Sequence, residues 1–217
     1  MSSEIHVVYT PTSLNRVLQA TQTDNSMSMS LSQSTVSSTI AKSPWYSKRF
    51  LKTQLDSEIP SIAFVAHAVT TDDALLPNPT NHWSAFLQIS DNSSVRMEVS
   101  PTSGGGEPGT VVIESKEYDM STHRNHAVVV AVAPGTTVAK ILSLLIELKR
   151  DRYVFSKVGE GCRFWLFTLA GDFASKAIIS QEHAETVRRD IQLYWPPTAG
   201  EPQPREMSVG QFPDSGK

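Results

Sequence analysis

The sequence predicts an α+β fold, an antiparallel sheet with helices packed on one face. Two observations carry this. Between residues 62 and 133 the apolar residues come in short runs or alternate, the pattern of strands; after Pro134-Gly135 the period becomes helical, in three segments that run to Tyr194 with one extended piece between the first two. Strands first and helices afterwards put the helices on one side of a sheet, not between parallel strands. A third observation sets the sheet's direction: Trp83 to Ser90 and Val95 to Ser100 are both strand-like, and Asp91-Asn92-Ser93-Ser94 between them is turn chemistry, so they read as a hairpin.

In chain order, residues 5 to 9 read as a short strand. Residues 10 to 43 read as no element. Nine of the fourteen residues from Ser26 to Thr39 are Ser or Thr, and a stretch this polar buries too little to offset its ordering entropy. It is expected to be a flexible insertion, followed by a short aromatic stretch, Pro44-Trp45-Tyr46 with Phe50 and Leu51, suited to docking. The chain therefore divides into 1–61 (N-terminal strand plus Ser/Thr-rich insertion), 62–195 (a single α+β domain) and 196–217 (an extended Pro-rich tail).

Within the domain, Ile62 to Val69 reads as a buried strand, with a loop from Thr70 to Asn81. In the hairpin, a turn at Asp91 to Ser94 pairs Ser90 with Val95 and sets Leu87 opposite Glu98. Gly104-Gly105-Gly106 and Pro108 mark a loop before the strand at Val111 to Ile113, and Ala127 to Ala133 is a further strand. Thr136 or Thr137 caps a helix with apolar residues at Val138, Ile141, Leu142, Leu145 and Leu148, closed by Lys149 and Arg150 where the dipole favours cations. Asp151 to Ser156 is extended, and Arg150, Asp151 and Arg152 read as a solvated charged patch. Gly159-Glu160-Gly161 opens a second helix, Cys162 to about Ala177, and Ser180 precedes a third, Gln181 to Tyr194.

Nineteen basic and 22 acidic side chains give a net charge of -3, so no basic footprint for nucleic acid is present. The single cysteine excludes an internal disulfide framework and any multi-cysteine metal site. No apolar run approaches the roughly 20 residues of a membrane span, and the N-terminus lacks a basic region followed by an apolar stretch. A reducing, cytoplasmic setting is expected, with a small-molecule substrate and neither cofactor nor metal.

Chemistry concentrates at Cys162. It follows a Gly-Glu-Gly turn at a helix start, where unpaired N–H groups and the helix dipole favour a thiolate; Arg163 and Lys157 add to this and Glu160 opposes it. A thiolate nucleophile needs a proton carrier, and His82, at the start of a hairpin strand, is placed for that task. The orienting third group is open. The expected register puts Glu98 on the face opposite His82, which a bulge would reverse; Asn81 is the other candidate. His123 and His126 sit at a loop-to-strand junction without carboxylates or thiols to complete a metal site.

Asn81-His82-Trp83 and Gly159-Glu160-Gly161-Cys162-Arg163-Phe164-Trp165 together resemble a fungal domain-of-unknown-function family with N-H-W and G-E-G-C-R-F-W motifs, over about Ile62 to Tyr194. More remotely, a histidine on an early strand and a cysteine opening a later helix resemble the circularly permuted papain-like enzymes, among them the NlpC/P60 and lecithin–retinol acyltransferase groups. That second resemblance implies a permuted papain-like arrangement with His82 and Cys162 in the two roles, and Glu98 where the acyltransferases carry a second polar residue.

Three functions follow as expectations. The first is a thiol-dependent acyltransferase or hydrolase acting on a small-molecule or peptide carbonyl, with Cys162 as nucleophile, His82 as base and acid, Glu98 as the third group, and Trp83, Arg163 and Trp165 contacting substrate. The second is a binding or cyclisation/rearrangement protein of secondary metabolism on the same scaffold, without a covalent cysteine step. The third is an interaction module using the Ser-rich insertion and the tail.

Overall fold

The computed structural model describes residues 31–68, 78–197 and 200–213. The strand expected at residues 5 to 9, most of the insertion and much of the loop after residue 68 lie outside these residues.

The described chain is α+β. Its six-stranded sheet has the order β1-β5-β4-β3-β2-β6, from Trp45–Arg49 (β1), Ser61–His67 (β2), Trp83–Ser90 (β3), Ser93–Pro101 (β4), Gly109–Lys116 (β5) and Arg124–Ala131 (β6). Only the edge pair β1–β5 is parallel. Four helices pack on the sheet: α1 (Gln33–Thr39), α2 (Val138–Glu147), α3 (Cys162–Ser175) and α4 (Gln181–Ile191). Strand alternation divides the side chains. Ile62, Phe64, Trp83, Ala85, Leu87, Val95 and Met97 join the helices in the main core, while Ala63, Val65 and Phe86 form a smaller cluster.

Helix α2 follows its period closely. Thr137 caps it by accepting from the Lys140 N–H, and Val138, Ile141, Leu142 and Leu145 are fully buried. Of the charged patch after it, Arg152 is exposed as expected, but Arg150 and Asp151 are drawn into the fold. Arg150 makes a two-pronged ion pair with Asp172 of α3, at 2.6 and 3.0 Å, and the buried Asp151 carboxylate accepts from the Trp45 indole at 3.0 Å. A planar guanidinium finds this fork geometry only where a second helix crosses, which composition cannot report.

Two segments expected to stand apart from the domain are part of it. The end of the Ser/Thr-rich stretch forms α1, capped by the Ser32 hydroxyl and burying Val36 and Ile40 completely against α2. Seven residues carry too little periodicity to reveal a helix, and the burial comes from the neighbour. Replacing Ile40 with alanine is therefore expected to cost about 3 kcal/mol, lowering Tm by roughly 6–12 °C for a chain of this size. A thermal melt within 2 °C or so of wild type would show that α1 is not packed.

The described part of the tail after Trp195 is extended, as read, but docked. Gln203–Pro204 (β8) pairs with Leu193–Tyr194 (β7), and Gln211 exchanges backbone hydrogen bonds with Val154 at 2.8 and 2.9 Å. Phe212 packs against Tyr153 and Phe164. This strap crosses in front of the N-terminus of α3.

Candidate active site

His82 is the residue immediately before β3, and Cys162 is the first residue of α3, which packs on β3 and β4. Some eighty residues apart in sequence, the two meet at one end of the sheet, where they line one cavity and the imidazole acts on the Cys162 thiol. The other side of the ring is held by Glu98: His82 Nε2 lies 2.8 Å from Glu98 Oε2. With Nε2 engaged, Nδ1 is the ring nitrogen left for the thiol.

Glu98 reaches His82 because the hairpin turns more tightly than the sequence reading expects. Ser90 pairs with Ser93 around Asp91-Asn92, and a bulge falls between Gln88 and Ser90. Leu87 consequently faces Val95, not Glu98. The displacement is odd, so it moves every β4 side chain to the other face relative to β3. Ala85 now pairs with Met97 on the helix side, so Ser84 and Glu98 share the opposite face with His82.

Glu98 is itself fixed. Its second oxygen takes an ion pair from Arg96 at 3.0 Å, and Arg96 continues to Glu114 at 3.1 Å. Burial alone would raise the Glu98 carboxyl, but the hydrogen bond and charge of His82, with Arg96, outweigh it and hold Glu98 below the usual carboxylate range. Burial alone would lower His82; its hydrogen bonds to Cys162 and Glu98 and their charges overcome this and push it up to about 10. Burial alone would raise the Cys162 thiol, but the His82 hydrogen bond and charge, the Trp83 backbone N–H and the Arg163 charge bring it below its ordinary value. All three directions favour a thiolate–imidazolium pair. Cys162 is half-buried and the His82 side chain is 45% exposed, so the pair is open to a cleft.

The start of α3 is built to leave its amides unoccupied. Gly161 at the cap position provides no side-chain oxygen, and its carbonyl accepts from the Trp165 N–H at 3.0 Å. A Cβ at Gly161 would lie 2.6 Å from the Tyr153 hydroxyl and 2.9 Å from the Phe155 ring. Tyr153 donates to the Gly161 carbonyl at 2.9 Å, which fixes the turn against the extended piece before it. Gly159 has φ +78°, the left-handed region glycine favours.

Cys162 and His82 open onto a cavity of about 230 Å³. Val99, Pro101 and Phe155 line it, as do Glu160 from the Gly-Glu-Gly turn and Ser208 from the strap.

The remaining expected site residues are placed differently. Arg163 borders the cavity, but its guanidinium donates from Nε to the Ile191 carbonyl (2.7 Å), from Nη1 to Glu206 (3.1 Å) and from Nη2 to Arg205 (2.7 Å). It anchors the strap. The Trp83 and Trp165 side chains are fully buried in the core and neither lines the cavity; Trp165 donates to the Arg150 carbonyl at 2.8 Å, and Trp83 reaches the site only through its backbone N–H. Asn81 is turned away from the third role, donating to the His67 and Trp195 carbonyls and accepting from Trp195 N–H.

One neighbour escapes the sequence reading. His67, at the end of β2, stacks on the His82 ring at 5.6 Å between centroids and lies 2.6 Å from the Ser84 hydroxyl through Nε2. Burial and the charge of His82 lower it to about 4, so it stays neutral beside the imidazolium. Its only signal is a histidine at the end of an apolar strand. The long loop from His67 to His82 leaves the β2–β3 register unreadable.

A His–Glu pair at a sheet end, a thiol at the facing helix start and a small cavity lined by His82 and Cys162 mark the candidate site of this α+β domain. The chain belongs to the family described as a domain of unknown function, DUF7770, whose model matches residues 62–213, more than half of the chain. The match begins in β2 and runs through the docked strap. No curated protein and no solved structure matches this chain.

Proposed function

We propose that the protein is a cysteine-dependent acyl-transferring enzyme, a transferase or hydrolase, in which Cys162 is the nucleophile, His82 the proton carrier and Glu98 the residue that orients it. The observation that carries this reading is the meeting of Cys162 and His82 on one cavity, with Cys162 only partly buried and Glu98 holding the imidazole. The order of the two motifs along the chain and the use of both ring nitrogens of His82 are what a permuted papain-like arrangement would require.

The chemistry is then as follows. The Cys162 thiolate attacks the substrate carbonyl carbon and forms a C–S bond. The developing oxyanion is met by the free N–H groups of the first turn of α3, which need no reorganisation to stabilise it. The tetrahedral intermediate collapses, the bond to the leaving group breaks, and the His82 imidazolium gives that group its proton. Now neutral, His82 takes a proton from water or from an acceptor nucleophile as it attacks the thioester. The C–S bond breaks and the thiolate–imidazolium pair returns. Glu98 stabilises the imidazolium and fixes the ring's tilt throughout.

The direct test is a covalent intermediate. Incubation with an acetyl thioester is expected to add one acetyl mass, located on Cys162 by peptide mapping, and to leave Cys162→Ala unmodified. Binding of small ligands without any acyl adduct, in a protein whose thiol still alkylates, would instead favour a ligand-binding protein on this scaffold.

A further inference from the structure

The walls of the cavity say what kind of acyl group it takes, an inference that rests on the reading just given. We infer that the site accepts a short, uncharged acyl group, about the size of a hexanoyl or benzoyl chain, and rejects charged or long ones. Charge comes first. The cavity is bordered by two charged side chains besides the His82–Cys162 pair, Glu160 and Arg163, and both are already engaged by other partners. Each oxygen of Glu160 is taken, Oε1 by Arg205 and Oε2 by Ser208, both at 2.8 Å. Every nitrogen of the Arg163 guanidinium donates to a backbone carbonyl. The Asn81 amide is used at both ends. The Thr80 hydroxyl, buried and unpartnered among the described residues, carries no charge. A carboxylate or ammonium carried into this space would give up its hydration and meet only counter-charges already held by other partners.

Size comes second. Val99, Pro101 and Phe155 supply the apolar wall. The volume, about 230 Å³, is below the roughly 300–1,000 Å³ of sites for drug-sized ligands. It exceeds the roughly 150 Å³ of an apolar cavity that holds benzene. A chain of about six carbons fills it, and a chain of twelve does not fit. The floor is rigid: a Cβ at Gly109 would lie 2.8 Å from both Phe155 and Val99, so those two side chains are packed tightly from behind.

The test is a panel of N-acetylcysteamine thioesters with acetyl, hexanoyl, adipoyl, 6-aminohexanoyl and dodecanoyl groups, reading the rate of Cys162 acylation by intact-protein mass. Hexanoyl is expected to react at least about tenfold faster than the two chains of equal length that end in a carboxylate or an ammonium, and faster than dodecanoyl. Val99→Ala, its fold checked by thermal melting, is expected to move the optimum to a longer chain. Charged chains reacting within twofold of hexanoyl would overturn the inference, as would a rate that climbs through dodecanoyl or an unmoved optimum in a folded Val99→Ala protein. The acetyl ester separates the two levels, since it needs no cavity. Acetylation without selectivity removes the inference and leaves the acyl-transfer reading standing. Failure to acetylate a thiol that iodoacetamide still alkylates removes both.

Discussion

Replacing Cys162 with serine is expected to lower acyl-transfer turnover at least about a thousandfold, the scale on which loss of a covalent nucleophile is felt. The swap keeps the side chain's length and places a hydroxyl beside the same imidazole. A hydroxyl lacks the thiol's acidity, so the stored thiolate–imidazolium pair is lost and attack must start from a neutral group. Little packing is removed, because Cys162 is half-buried at a helix start and not in the core. The melting temperature is accordingly expected to move by only a few degrees. Turnover within tenfold of wild type in the folded Cys162→Ser protein would exclude Cys162 as the nucleophile.

Much of this site can be read from the sequence, and the parts that cannot have definite causes. Cys162 opens a helix because Gly159-Glu160-Gly161 stops the preceding extended piece, and His82 stands just before a strand because Trp83 to Ser90 is strand-like and ends in a turn; both are local facts. Glu98 is harder. Whether it faces His82 depends on one bulge near Ser90, since a turn with an odd offset exchanges the faces of the whole strand. His67 depends on a pairing between β2 and β3 across a loop too long to set the register. The aromatic residues Trp83 and Trp165 invite a role at a pocket, but their motif neighbours are at the site and they are not. Trp83 points away from His82 by strand alternation, and Trp165 lies one turn along α3 on its core-facing side.

The N-terminal and C-terminal segments illustrate a different limit. The polar run ending in α1 has two apolar residues that count, Val36 and Ile40, spaced four apart on one helical face. Their burial requires α2 as a partner, and composition alone favours disorder. The strap is held largely by backbone: Arg163 to two strap carbonyls, Gln211 to Val154, β8 to β7. Main-chain pairing leaves little trace in residue type. Its effect on the site is concrete, since it positions Ser208 and, through Arg205, neutralises Glu160.

His82→Ala carries the second large effect. Turnover is expected to fall at least about a hundredfold, the usual contribution of a positioned acid–base group. The same change removes the hydrogen bond and positive charge that do most to hold the thiol down, leaving burial, the largest influence, opposed only by the weaker Trp83 N–H and Arg163 charge. The sign is therefore fixed. In the wild type the thiolate forms at a pH below the ordinary thiol value and is lost only as the pH falls through that depressed value. In His82→Ala the thiolate forms only at or above the ordinary value. Glu98→Gln is expected to fall between the two, since it weakens the imidazolium without removing the ring.

The pH dependence of Cys162 alkylation by iodoacetamide, followed by intact-protein mass in wild type and His82→Ala, tests the thiolate–imidazolium pair most directly. The expected result is a wild-type rate that rises at a lower pH than that of an ordinary thiol, with the His82→Ala curve displaced to the alkaline side. Two superimposed curves, both rising at the ordinary thiol value near 8.5, would contradict it.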